Sequence, residues 1–201
     1  MVCGDFKTLN QSLAAFSLRL INQSHLFRQI RTVNPSPRLS TDLEDNLELA
    51  IAVDTEKARS ELIIAPILLE LRRQLAPNVS FFSGIYLTVD SERGLNGECD
   101  FILSASDNQL DVSAPIVTIV EAKNNDIKSG IGQCVAQMVG AQMFNQNDKS
   151  IIGAVTTGVL WRFLRLRHNI LEVDLTEYIV PLQLEIILGI LSSPFLRGDQ
   201  E

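Results

Sequence analysis

The chain has 201 residues, 46% of them hydrophobic and 20% charged, a globular composition that fits one domain with a buried core and excludes a disordered chain. No apolar run, Leu62 to Leu69 being typical, approaches the ~20 residues of a membrane-spanning helix. The N-terminus carries no basic segment followed by an apolar one, so no secretory signal is read and a cytoplasmic location is expected. The net charge of −7 is awkward for a partner made of phosphates, but it is unevenly spread. Residues 155–169 hold Arg162, Arg165, Arg167 and His168 and no acid, whereas 42–56 hold six acids and no lysine or arginine. A locally basic surface on an acidic protein is compatible with that.

In chain order, Leu9, Leu13, Phe16 and Leu20 recur at helical spacing, which predicts a helical N-terminal extension over about residues 1–40, helical to about Ile30. The two prolines of TVNPSPRLST predict a loop. Ser40 or Thr41 is expected to cap the next helical stretch, Thr41 with Glu44 forming a capping box. Pro66 is expected to start a new segment or bend this one. The period then changes. VSFFSGIYLTV predicts a strand, with an interruption at Gly84. SERGLNGE reads as a connection, CDFILSAS as a second strand and PIVTIVEAK as a third, so apolar that it should be central in the sheet. A helix over about 130–144 follows. IIGAVTT and VLWRFLRL flank Gly158 as a hairpin, ILEVDL is an expected edge strand, and YIVPLQLEIILGILSS closes as a helix. The order implies an α/β or α+β domain over 1–201, with a mixed central sheet flanked by helices.

The chemistry-bearing residues cluster in three pieces: GECD ending at Asp100, EAK at Glu121–Lys123, and a helix with Gln133 and Gln137 one turn apart. Strand alternation points Glu121 and Lys123 the same way, with Ala122 opposite. A charged pair ending an apolar strand is costly unless it is functional or well paired; a merely exposed pair would be worth ~0–1 kcal/mol. With Asp100 on the neighbouring strand, two carboxylates and one ammonium would converge. Cys3, Cys99 and Cys134 are widely spaced, and His25 and His168 have no partner at ligand spacing. A disulfide framework, a zinc site and a histidine-based hydrolase are therefore not expected. A metal would be a hard cation held by carboxylates.

Asp100 followed by Glu121-x-Lys123 and a glutamine-bearing helix resembles the PD-(D/E)xK superfamily of restriction-endonuclease-like nucleases. The hairpin VTTGVLWRFLRL is similar to one found in some of its members, and the order of elements over residues 42–167 follows the superfamily's core. Cys99 stands where the name-giving proline would be. The resemblance implies a metal-dependent nuclease acting on nucleic acid, DNA ahead of RNA, with Mg²⁺ or Mn²⁺ held by Asp100, Glu121 and the Ala122 carbonyl. It implies Lys123 as the group assisting the nucleophile, Glu61 as the acid of the preceding helix, and Gln133 and Gln137 as the site glutamines. The alternative is a catalytically inactive module that binds nucleic acid or protein on the same fold. A homodimer is expected if the apolar C-terminal segment is interface rather than core.

Overall fold

The computed structural model describes residues 1–196. Its centre is an eight-stranded mixed sheet of order β1-β7-β6-β5-β4-β3-β2, with β8 paired to β6. The strands are β1 (Arg19–Gln23), β2 (Ser80–Asp90), β3 (Leu95–Ser104), β4 (Ile116–Ala122), β5 (Ile151–Thr156), β6 (Leu160–Arg167), β7 (Ile170–Asp174) and β8 (Tyr178–Ile179). The fold is mixed α/β, as expected. β2, β3 and β4 form an antiparallel meander. β4 and β5 are parallel, joined by the crossover helix α5 (Ile127–Asn145). A parallel pair requires such a crossover. All seven residues of β4 are buried, as its unbroken apolar run predicted.

Helices cover both faces. On one lie α2 (Pro37–Val53) and the long helix made of α3 (Glu56–Arg59), a wide π-turn (Ser60–Ile64) and α4 (Ala65–Leu75), with α6 (Leu184–Ser192) beside them. Their apolar residues pack on Phe101, Leu103, Val120, Ala122, Trp161 and Phe163. On the other face α5 and α1 (Leu9–Phe16) cover Ile102, Ile119, Val155 and Leu164. Pro66 cannot donate an amide hydrogen, and its ring crowds the carbonyl of residue i−4, Leu62; that residue lies in the π-turn, so the widened turn absorbs the proline without ending the helix.

Several expectations are corrected. The N-terminal extension is not helical to Ile30. α1 ends where Ser17 takes a left-handed conformation (φ 52°), and Arg19–Gln23 then forms β1, parallel to β7. Gly132 on α5 holds this N-terminal stretch in place. A Cβ there would lie 2.5 Å from the Phe6 carbonyl oxygen and 2.7 Å from that of Thr8. β7 is therefore interior, between β6 and β1, and the edges are β1 and β2. Residues Leu95–Glu98 belong to β3 rather than to a turn, and β2 continues past Gly84, where a positive φ (62°) and a gap in the ladder pairs mark the expected irregularity. α2 is capped by Ser36, whose hydroxyl accepts from Leu39 N at 3.3 Å, with Pro37 in the first turn; Thr41 lies inside the helix. In the C-terminal segment Leu184, Ile187, Leu188, Ile190 and Leu191 are all buried, while Ile179 and Leu182 at the start of the segment are exposed.

Candidate active site

The β3–β4 ladder pairs Phe101 with Val120, so the next positions along the two strands are Asp100 and Glu121. Asp100 lies within β3 rather than at its start. Its Oδ2 accepts from the Ala122 amide at 2.7 Å, which ties the end of β4 to the middle of β3. Glu121 is 1% exposed. Its Oε1 accepts from Lys123 Nζ at 2.5 Å, confirming that the two side chains share a face. Its Oε2 is buried and finds no hydrogen-bond partner among the described residues.

This arrangement works against ionisation. Burial, reinforced by the Asp100 charge and only partly offset by Lys123 and the neighbouring Gln137 side chain, pushes the Glu121 carboxyl up to about 8. Burial also raises Asp100, against the Ala122 amide and Lys123. Burial pulls Lys123 down, but its pairing with Glu121 outweighs that and leaves it raised. A second positive charge would be favourable here.

The remaining expected residues divide. Gln137 is buried beside Glu121, and its Nε2 donates to the Glu98 carbonyl at 3.1 Å, fixing α5 to β3. Its Oε1 also lacks a partner among the described residues. Gln133, one turn earlier, is half-buried, and no hydrogen bond ties it to the acids. Glu61 has a side chain 61% exposed and pairs with Lys57 at 2.6 Å. It lines a cleft of about 320 Å³ together with Glu56, Glu98 and Asp100. Glu56, which the sequence reading counted only as part of an acidic run, is the helix acid whose charge acts on both Asp100 and Lys123. The signal available was Thr55, which caps α3 and places Glu56 in its first turn.

Cys3, Cys99 and Cys134 surround the same acid, buried and free. Burial first, with Glu121 adding, raises Cys3 to about 11 and also raises Cys99 and Cys134 well above the ordinary thiol value. They remain thiols at neutral pH, unsuited to act as thiolate ligands or nucleophiles. The oxygen donors are what a hard divalent cation prefers. Among the described residues no three His, Cys, Asp or Glu side chains form a ready-made cage. Two carboxylates with the rest of the shell left to water, backbone carbonyl and substrate suits Mg²⁺ better than Ca²⁺ or Zn²⁺. The residues therefore fit such an ion, and the partnerless Glu121 Oε2 is the observation that favours it. No family model matches the chain, and no curated protein matches it significantly.

Proposed function

We propose that this protein is a metal-dependent nuclease that hydrolyses phosphodiester bonds in nucleic acid, DNA in preference to RNA. The observation that supports this is two adjacent acids whose protons are held too tightly, one with a partnerless oxygen, beside an ammonium on the same face. The sequence resemblance to PD-(D/E)xK nucleases, which rests on the same three residues, agrees with it. Asp100 and Glu121, with the Ala122 carbonyl, would hold Mg²⁺ or Mn²⁺, and Glu56 or Glu61 would act through water from the α3 side. The bound ion would supply Lewis acidity and a more acidic water. Lys123 would leave Glu121 to the ion and turn its ammonium to the scissile phosphate, stabilising charge as the P–O bond to the leaving group breaks. Gln137 keeps β3 and α5 in register around the two acids.

The test is cleavage of mixed DNA and RNA substrates with Mg²⁺ or Mn²⁺ and with chelator. Lys123→Ala should lower turnover by ~10²–10³. Metal affinity, measured by calorimetry, should be kept or increased in Lys123→Ala and should fall sharply in Asp100→Asn. The short Lys123–Glu121 pair favours one other reading, a binding module in which the lysine only neutralises a buried acid. A parent that cleaves nothing with either ion, together with a Lys123→Ala variant that unfolds more easily, would select that reading.

A further inference from the structure

A second cavity, of about 510 Å³, adjoins the candidate site. It begins at Asn124, directly after Lys123, and is lined by Arg59, Asn124, Lys128, Thr157, Arg162 and Glu177 among others. α3 divides the two hollows, with Glu56 and Lys57 lining the acidic cleft and Arg59 lining the cavity. Their charges are opposite in sense. The cleft has four acids and one lysine in its lining; the cavity has three cations against Asp126 and Glu177.

The cavity wall is rigid where it needs to be. Arg59 is 9% exposed, and its guanidinium joins three elements, bonding Asp54 Oδ1 (3.0 Å), Asn124 Oδ1 (3.2 Å) and the Thr157 carbonyl (3.2 Å). Arg162 is different, and its neighbour on β6 shows how. Arg165 presents its Nε and Nη2 edge to Glu172 and fills both positions, at 2.6 and 3.0 Å. Arg162 uses Nη2 on Glu177, at 2.5 Å, while its Nε is buried and has no acceptor among the described residues. Half of a fork that matches an oxyanion in bidentate fashion is thus empty. A phosphate can fill both positions, while Glu177, 43% exposed in its side chain, is free to turn to solvent.

We propose that this cavity is a second phosphate subsite, in which Arg162 takes the phosphodiester next to the scissile one and displaces Glu177, an internal stand-in for that phosphate. The inference rests on the nuclease reading and adds to it that the substrate is a polynucleotide strand running from the acidic cleft across α3, rather than an isolated phosphodiester. Lys128 adds positive charge to the same subsite, whereas the first turn of α5 is capped by Asp126, whose carboxylate accepts from the Lys128 amide at 2.9 Å.

The experiment is titration of a short fluorescent oligodeoxynucleotide into the metal-free protein at several salt concentrations, so that binding is read apart from cleavage. Arg162→Gln should lower the slope of log affinity against log salt by about 1. Glu177→Gln should act in the opposite direction, tightening binding up to about fivefold as Arg162 is released from its pair. Arg167→Ala, an exposed arginine at the far end of β6, should change neither. Circular dichroism and thermal unfolding establish that each variant is folded. Equal effects of Arg162→Gln and Arg167→Ala, or a Glu177→Gln variant that binds no tighter, would overturn the inference while cleavage by the parent would still uphold the nuclease reading. A parent that binds inorganic phosphate but no oligonucleotide would overturn the strand-binding subsite as well. A parent that binds through Arg162 yet never cleaves would keep the subsite and reject the nuclease.

Discussion

Glu70 on α4 and Glu121 on β4 are both screened from solvent, 2% and 1% exposed, but Glu121 lies much deeper in the protein, and they hold their protons in opposite ways. Glu70 is surrounded by donors. Ser36 gives its amide at 2.9 Å and its hydroxyl at 3.0 Å, Gln74 gives an amide at 2.7 Å, and Arg73 lies 3.8 Å away. Burial alone would raise its pKa, but these partners prevail and lower it. Glu121 has one lysine, a neighbouring acid and a partnerless oxygen, and its pKa rises to about 8. Depth and donors together decide the state of a carboxyl: Glu70 is shallow and well supplied, Glu121 is deep and poorly supplied. One site is finished by the protein itself and serves to clasp α4 to the start of α2. The other is left incomplete, which is the condition of a site that expects something from outside.

The contrast breaks most visibly under substitution at Glu121. Glu121→Gln should cut metal-dependent cleavage by at least ~10²–10³, yet its melting temperature at pH 8 without metal should not fall below the parent's. A clear loss of stability would make Glu121 a structural acid after all. Glu70 should behave in the reverse sense. Glu70→Ala leaves the Ser36 amide unpaired and should cost about 1–3 kcal/mol in chemical unfolding, with the turnover of the folded fraction unchanged.

A smaller effect follows from pH. In the metal-free protein the folded state binds the Glu121 proton more tightly than the unfolded state does. The stabilisation is present below the ordinary value of 4.5 and is lost as pH rises towards about 8. Glu70, with its pKa lowered, contributes stability that is present above 4.5 and lost as pH falls. Thermal unfolding across pH in chelator should show a decline between 4.5 and about 8 that vanishes in Glu121→Gln, and a decline below 4.5 that shrinks in Glu70→Gln. Mg²⁺ should offset the decline towards pH 8 in the parent. Parallel pH profiles for Glu121→Gln and the parent would remove the basis of the comparison.

What was legible in the sequence follows the same division between local and distant causes. β2 to β6 and α5 announce themselves because their periodicity is carried by consecutive residues, and β4 was placed at the centre of the sheet by its apolar run alone. Glu121 and Lys123 were legible as one face through strand alternation, and Asp100 joined them only by the expectation that CDFIL is the neighbouring strand, as the Phe101–Val120 pairing now has it. β1 was missed because Leu20 continues the spacing of Leu9, Leu13 and Phe16, while its partner lies on β7 near the other end of the chain. The cap of α2 was misplaced because Thr41 and Glu44 make a good local box. Ser36 prevails through Glu70, 34 residues away, which no window reveals. Glu56 was passed over for the same reason, since its role depends on where α3 comes to rest over β3 and β4.

The parallel pairing of Arg19–Gln23 with Ile170–Asp174 has a consequence for how the molecule is made. During synthesis the first strand leaves the ribosome long before its partner exists, so it must wait unpaired while nearly the whole sheet is translated. Closing so long a loop carries an entropic cost that only the preassembled β4–β7 surface can offset. The edge at β1 should therefore be among the last parts to form, and until it does β7 presents an open edge to other chains. Chains stalled or truncated before residue 170 would lack that docking surface altogether, and their first strand would stay unpaired.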